Sequence, residues 1–465
     1  MTRPPRGAPT RAGRRAVLAR AAGLAAAGLA IDAAGRGRLL AAVQRAAPAV
    51  DWLWSGAITS GSARIRARVT IDGPVRLILT QANGSAAAPR IVAPTGPQST
   101  DGVHTFDADG LQPDTAYRYT IETAAGRDER TGAFRTFADG PFSFAFAFGS
   151  CASTGSSNAV FDVIRRRHPH FFLHLGDFHY ANIAVDDPWR FRDASNRVLR
   201  SPSQSTLYRE TPIVYIFDDH DFGLDDSDGT SVTKGAAQRV YRERVPHYPL
   251  PLSAVPAGVP GADPIGPIAQ AFTVGRARII VTDTRSDRTP RYASDARNRT
   301  MLGPPQRQWL VDELTRAADE KAPVVFWANT VPWITKENSA RGHGWEPYAH
   351  ERAEIAGTIS KLGLTSKLIM LSGDAHMAAI DDGTNSNYVE GSAPSTRGFV
   401  VMQAAPFSRF PRSKGGPYSH GRSTRNHQFG WVEVKDTGDA ITVDLTARNQ
   451  AGLVIPGLQL TMKPT

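Results

Sequence analysis

The order of apolar and polar positions changes character near residue 140. Before that point the chain alternates with period two. In 62-SARIRARVTI-71, Ile65, Ala67 and Val69 share one face and Arg64, Arg66 and Arg68 the other. The runs 74-PVRLILTQA-82 and 115-TAYRYTIETA-124 alternate in the same way, with turn residues between them. This is the signature of short, half-buried strands. From about 142 the apolar runs become continuous and are separated by amphipathic stretches. Strands are predicted over 142–151, 171–177, 212–221, 323–330 and 367–376, with a hairpin over 269–275 and 276–285. Helices are predicted over 158–170, 232–245, 304–320 and 350–362, with a polar helical insertion before residue 212. Strands alternating with helices define an α/β domain. The runs 398–404, 429–435 and 440–449 read as the last strands of a second sheet, and the Pro/Gly-rich 249–267 as a surface loop.

The expected organisation is therefore a leader over 1–49, a small all-β module over 50–138 and an α/β catalytic domain over 139–465. A chain of 465 residues is long enough for two or three domains plus a tail. Within the β module, 110-GLQPDTAYRYTIE-122 resembles sandwich modules of the fibronectin type III kind, in which a Leu-x-Pro turn leads into a Tyr-bearing strand. No chemistry is visible in that module.

Charge alters the picture at one place only. Residues 1–49 hold nine arginines and one acid, Asp32, which is +8 of the formal +10. The remaining 45 basic and 43 acidic side chains nearly cancel, so the charge predicts no nucleic-acid partner. Arg14 and Arg15 precede an Ala/Gly/Leu stretch and the small residues 47-APA-49. This layout predicts a twin-arginine signal, export by the Tat translocase, and a secreted, periplasmic or cell-surface location. After the first fifty residues no uninterrupted apolar run approaches the length of about 18 residues needed to span a membrane. Cys151 is the only cysteine, so no internal disulfide can form and the protein relies on its core.

The chemistry sits where apolar strands end. Five of them terminate in polar clusters: Cys151 in 149-GSC-151, then 176-GDFHY-180, 218-DDHD-221, 283-DTR-285 and 373-GDAH-376. Ligands of α/β sheets bind beyond the carboxyl ends of the strands. Grouped carboxylates repel unless cations neutralise them. Thiolate and phenolate suit a transition or trivalent ion such as iron, and carboxylates suit calcium, magnesium or manganese. The set predicts one transition metal beside one or two hard ions, which together would clamp a phosphoryl group and activate water.

With these motifs in this order, together with 303-GPPQRQWLVDEL-314, the sequence resembles the PhoD-like alkaline phosphatases of the calcineurin-like metallophosphoesterase superfamily. The resemblance implies an αββα sandwich, two mixed sheets flanked by helices. It implies one Fe3+ and one or two Ca2+, with Mn2+ or Mg2+ as alternatives. Cys151 and Tyr180 are implied as iron ligands, Asp177 as the bridging carboxylate, and Asp219 as a ligand of the second metal. Asp374 is implied on the calcium side and His376 on the iron, with Asp225 as a further calcium carboxylate. His220 matches the histidine that contacts the scissile phosphate and protonates the leaving group. Arg285 is a phosphate contact or, on the bland reading, a structural partner of Asp283. Ser-Cys stands where the wider superfamily has Asp-x-His at its first strand. Asn329 stands one position off a histidine ligand of purple acid phosphatases and is read as lying behind the ligands. His179 is read as a bystander, His174 as core, and Trp333, Trp345 and His343 as lining the substrate mouth or packing.

Three functions follow. The first is an exported phosphatase acting on small-molecule phosphate monoesters through a metal-activated hydroxide. The second is a diesterase or phospholipase D-like enzyme using the same site, with loops 183–210, 249–267 and 336–348 deciding between the two. The third, a catalytically silent binding protein, is disfavoured by the intact set of site residues.

Overall fold

The computed structural model describes residues 48–82, 88–254, 264–294, 297–335 and 343–465. All but the last two residues of the predicted leader lie outside this set, as do 255–263 and 336–342 of two loops expected to govern access.

The alternation of residues 62–69 is realised as the strand Ser62–Val69, with odd positions buried and even positions half-buried. Its outward arginines are paired. Arg64 meets Asp107 at 2.7 Å, and Arg68 meets Asp51 at 2.7 Å and Asp101 at 2.9 Å.

Residues 50–138 contain strands and turns but no helix among the described residues. They do not stand apart as the separate sandwich the alternation predicted. Val50–Gly56, Ser62–Val69 and Val103–Asp109 are the last three strands of a nine-stranded sheet that runs on into the α/β region. The seam is a parallel pairing of Gly56 with Ile213. A Cβ at residue 56 would lie 2.5 Å from the Ile213 carbonyl oxygen and 2.4 Å from that of Pro246, so only glycine fits there. Trp52 and Trp54 then bury under the following helices. The Trp52 indole donates to Asn196 Oδ1 at 2.8 Å, and the Trp54 ring lies 6.1 Å from Tyr208. Ala49–Thr465 accordingly form one unit, and the boundary expected at 138 is crossed by a continuous sheet. The other early strands, among them Arg76–Gln81 and Ala116–Thr123, make a smaller sheet.

The nine-stranded sheet runs Val454–Met462, Ile441–Arg448, Phe429–Asp436, Phe144–Gly149, Phe171–Leu175, Ile213–Ile216 and then the three early strands. A seven-stranded sheet runs Gln270–Val274, Ala277–Val281, Val324–Ala328, Leu368–Ser372, Val400–Gln403, Ala378–Asp381 and Arg422–Ser423. Two expectations are corrected here. The strands predicted over 429–435 and 440–449 belong to the first sheet, because Phe429–Asp436 pairs antiparallel with Phe144–Gly149. The strand predicted over 212–221 stops at Ile216, and Asp219–Phe222 is a helical turn boxed by the Asp218 and Asp221 side chains.

The sheets meet through aromatic rings: Phe146 lies edge-on to Phe326 at 5.4 Å, and Phe171 to Phe272 at 5.8 Å. Each fully buried phenylalanine contributes about 1.5–3 kcal/mol. Pro202–Glu210 packs over the first sheet. Pro304–Asp319 and Ala349–Lys361 cover the second through Leu310, Leu314, Ile355 and Ile359. No helix among the described residues is long and apolar enough to cross a membrane.

Asp51 ties this architecture together, accepting from Arg68 and from Arg200 at 2.7–2.8 Å. Burial raises its carboxyl pKa, but Arg200 and Arg68 outweigh burial and hold it below the ordinary value. Such a group stabilises the fold above its unfolded pKa of about 4, and the contribution is lost as pH falls through the lower native value. Asp51→Asn is expected to lower stability by about 1–3 kcal/mol at pH 7. Denaturant melts of both proteins at pH 7 and pH 3 should show the gap closing at acid pH.

Candidate metal centre

Seven strands carry the site, and each runs parallel to a neighbour. Three are in the first sheet: Phe144–Gly149, Phe171–Leu175 and Ile213–Ile216. Four are in the second: Ala277–Val281, Val324–Ala328, Leu368–Ser372 and Val400–Gln403. The polar motifs leave their carboxyl ends. Within each edge the turns are bonded, Gly373 N donating to Thr330 O at 3.0 Å and Cys151 N to Gly176 O at 3.3 Å, and Asp374 N joins the two edges by donating to Ser150 Oγ at 3.0 Å. The strand ends turn sharply. Cys151, Asp177, Asp374 and His376 all have positive φ, between 52° and 64°. Left-handed backbone at a non-glycine residue costs on the order of 1–3 kcal/mol and gathers at functional sites. Gly176 precedes Asp177 with φ 88°, and a Cβ there would sit 2.3 Å from Asp218 Cβ. This glycine lets the two carboxylate-bearing turns touch.

The side chains form two donor groups. Cys151, Asp177 and His376 have ligand atoms within 4.8 Å of one another, and so do Asp177, Asp219 and His220. Asp177 belongs to both. The Tyr180 hydroxyl lies 2.5 Å from Asp177 Oδ2 and 3.3 Å from His376 Nε2, which adds the phenol to the first group. His376 Nδ1 is held by Phe410 O at 2.6 Å, leaving Nε2 facing the group.

Electrostatics show how poorly these groups coexist alone. Burial, then Asp219, Asp218 and Asp221, drives the Asp177 carboxyl well above its ordinary range. Burial, then Asp177 and Asp374, does the same to the Cys151 thiol, and burial, Asp177 and Cys151 to the Tyr180 phenol. Buried Asp177 Oδ1, Asp218 Oδ2 and Asp374 Oδ2 have no hydrogen-bond partner. Thiol, phenol, imidazole and shared carboxylate with free lone pairs fit a pair of cations, a transition ion at the Cys151 group and a harder one at the Asp219 group.

Three expected residues are placed differently. Asp374 is in neither group of three; its Oδ1 accepts from Lys414 Nζ at 2.6 Å, and its Oδ2 is buried without a partner. Asp225 is 75 % exposed at its side chain and touches only the edge of the site, 3.3 Å from His220 Nε2. The adjacent Asp226 turns inward instead, its N–H donating to Asp219 Oδ2 at 2.7 Å and its carboxylate meeting His343 and Arg291. Arg285, expected to contact phosphate, has a side chain 2 % exposed and donates from Nε to Asp218 Oδ1 at 2.5 Å. Its side chain thus pairs with Asp218 and not with Asp283, whose carboxylate accepts from backbone N–H groups and from Ser286. Against the opposing effect of burial, Arg285, His220 and Lys414 hold Asp219 ionised, below its ordinary pKa.

The remaining assignments are simpler. Trp333 and Trp345 pack on Trp327 in the core and do not line a mouth. His174 is enclosed by Phe172, Phe178, Tyr215 and Phe407. The His179 backbone N–H donates to Asp221 Oδ1 at 2.9 Å, and burial lowers its imidazole pKa to about 3. Asn329 is buried and caps Val331 N.

Four residues at the site went unread. Asp218, first of the DDHD pair, holds Arg285 and accepts from Thr330; burial lifts it to about 7 although Arg285 pulls it down. Asn182 Oδ1 lies 2.5 Å from His220 Nδ1, which fixes the proton there and leaves Nε2 for chemistry. Lys414 and Arg409 come from a stretch whose only sequence signal is that no acid occurs between Glu390 and Glu433.

The fold and this strand-edge site define a metallophosphoesterase-type α/β sandwich. A family model described as PhoD-like phosphatase matches residues 146–451, and the chain belongs to that family. Alkaline phosphatase D of Bacillus subtilis (strain 168) is 26 % identical over 326 residues. That match covers 60 % of this chain, which spans about half the length of the relative, 54 %. The solved structure of PhoD superposes with a TM-score of 0.65 at 18 % identity, covering 90 % of this chain and 93 % of PhoD. A purple acid phosphatase from yellow lupin (Lupinus luteus) seeds superposes with a TM-score of 0.58 at 12 % identity, covering 89 % of this chain and 73 % of its own. At these identities the two superpositions speak to fold.

If cations neutralise the cluster, removing them exposes its repulsion. Chelation of the metal-loaded protein is expected to lower Tm by several degrees, by the linkage between ligand binding and stability. Asp177→Asn should bind less metal by elemental analysis and show a smaller chelation shift. An Asp177→Asn variant with wild-type metal content would remove this carboxylate from the centre.

Proposed function

We propose that the protein is an exported, metal-dependent phosphoesterase that hydrolyses phosphate monoesters of small molecules. The observation that carries this reading is a single carboxylate, Asp177, shared by two donor groups, with His220 beside it in one of them. Iron at the Cys151–Tyr180–His376 side and calcium at the Asp219 side are the ions the donors favour. When bound, these ions offset phosphate charge and make water nucleophilic near neutral pH. The twin arginine at 14–15 supports passage through the Tat translocase.

The chain's own residues do the rest. Asp177 and Asp219 hold the reacting centre from one side. Arg285 and Lys414 are fixed countercharges behind them and keep Asp219 ionised. His220, its Nδ1–H engaged by Asn182 Oδ1, presents Nε2 to the ester; as the imidazolium it gives its Nε2 proton to the departing oxygen, and the neutral ring left behind takes a proton back from water. Burial lowers the His220 pKa, and Asp219 and Asp225 pull it back up.

The test compares leaving groups on metal-loaded protein. p-Nitrophenyl phosphate should be cleaved faster than bis-p-nitrophenyl phosphate; the reverse order moves the protein to the diesterase reading. His220→Ala should cost about 10²–10⁴-fold on an alkyl phosphate, whose alkoxide needs a proton. The loss should be much smaller on p-nitrophenyl phosphate, whose phenolate departs unaided. Equal losses on both would remove His220 from that role, and cleavage of no ester would defeat the enzyme reading.

A further inference from the structure

We propose that Arg409 binds the non-bridging oxygens of the substrate phosphate, an inference that rests on the phosphoesterase reading above. The site as described has no cation free for this task. Arg285 is enclosed against Asp218, and Lys414 is bound to Asp374. Phosphate recognition in a cleft rich in carboxylates requires one, because an approaching anion must find positive charge that the acids have not consumed.

Arg409 meets this requirement by place and by state. It follows the strand Val400–Gln403 on a segment tied to the centre by its backbone. Phe407 N donates to Ser150 O, Ser408 N to Cys151 O and Arg412 N to His376 O, at 3.0–3.2 Å. The segment thus bonds both to the turn carrying Cys151 and to the His376 ligand. From it the Arg409 guanidinium lies 3.8 Å from the centroid of the Tyr180 ring. The His220 ring sits 4.1 Å from the same phenol, whose hydroxyl reaches Asp177. Arg409 and His220, the residue proposed to meet the ester, therefore both contact one ring at the centre. Arg409 Nε is buried with no hydrogen-bond partner, and no carboxylate among the described residues pairs with the side chain. A guanidinium edge left unsatisfied beside a metal centre is costly unless a ligand completes it. Its planar fork matches two phosphate oxygens, whereas Arg412 on the same loop is exposed and its side chain acts on His376 only through its charge. The chemical class recognised is a terminal phosphoryl group or inorganic phosphate.

The experiment measures binding of inorganic phosphate to metal-loaded wild type, Arg409→Ala, Arg409→Lys and Arg412→Ala by calorimetry, with elemental analysis of each preparation. Arg409→Ala should weaken phosphate binding by about ten- to hundredfold, the value of a charge-assisted hydrogen bond. Arg409→Lys should recover part of that loss, since it restores charge without the fork. Arg412→Ala should stay within a few-fold of wild type, and metal content should be unchanged throughout. Unchanged phosphate affinity in Arg409→Ala would overturn the proposal. So would loss of metal from it, which would make Arg409 a support for Tyr180. Wild type that binds phosphate but cleaves no ester would defeat the enzyme reading and leave the Arg409 comparison intact.

Discussion

Buried negative charge at the meeting edge of two sheets is the constraint on which this structure depends. Asp177, Asp218, Asp219, Asp221 and Asp374 all lie buried in one small region. Carboxylates in that setting either take up protons or are matched by cations. Both responses are visible. Burial lifts Asp218 and Asp221 to about 7, whereas Asp219 stays ionised because Arg285 faces it. The fixed cations reach only part of the cluster. Asp177 Oδ1 remains without a partner, and this residual demand for charge is what a metal pair would satisfy.

The fold generates that demand deliberately at the strand ends. Parallel strands such as Phe171–Leu175 are buried on both faces, so polar side chains are confined to the residues just beyond them. Two sheets packed face to face bring two such sets of ends together. The left-handed backbone at Cys151, Asp177, Asp374 and His376 turns the chain within one residue. Hydrogen bonds between the sheets, such as Asp374 N to Ser150 Oγ, hold those strained turns in register. Core packing and site geometry are thus one construction. The Trp52 and Trp54 cluster, though distant in sequence, belongs to it through the sheet that Gly56 joins to Ile213.

What could be read from the sequence was whatever is encoded locally. Strand-end motifs carry their chemistry within four or five residues, so Cys151, Asp177, Tyr180, Asp219, His220 and His376 could be picked out before any coordinates, and the structure brings them together. Long-range pairing leaves no such trace. The alternation of Ser62–Val69 is the same whether its sheet ends there or continues into nine strands, and only the Gly56–Ile213 register decides. The same holds for Phe429–Asp436, whose partner lies nearly three hundred residues earlier. Arg285 lies beyond its strand, as its motif implies, but its partner, Asp218, comes from the other sheet, and sequence spacing does not report that distance. Asp225 and Asp226 are indistinguishable as letters, and the turn after Asp219–Phe222 decides which of them faces inward.

The cations divide by how the chain delivers them. Arg285 comes from the strand end after Ala277–Val281 and is locked by Asp218 and by Ser227 O, so it sets the resting charge of the cluster. Lys414 and Arg409 come from the acid-free stretch between Glu390 and Glu433, which is laid over the finished site by backbone bonds to Ser150, Cys151 and His376. Lys414 neutralises one oxygen of Asp374, while the other, Oδ2, stays buried without a partner. Asp177 belongs to both donor groups and Asp219 to one, and the free Asp374 Oδ2 lies outside them. Positive charge is therefore spread unevenly over the cluster: Arg285 and Lys414 are each held by a carboxylate, whereas Asp177 Oδ1 and Asp374 Oδ2 are left without a partner.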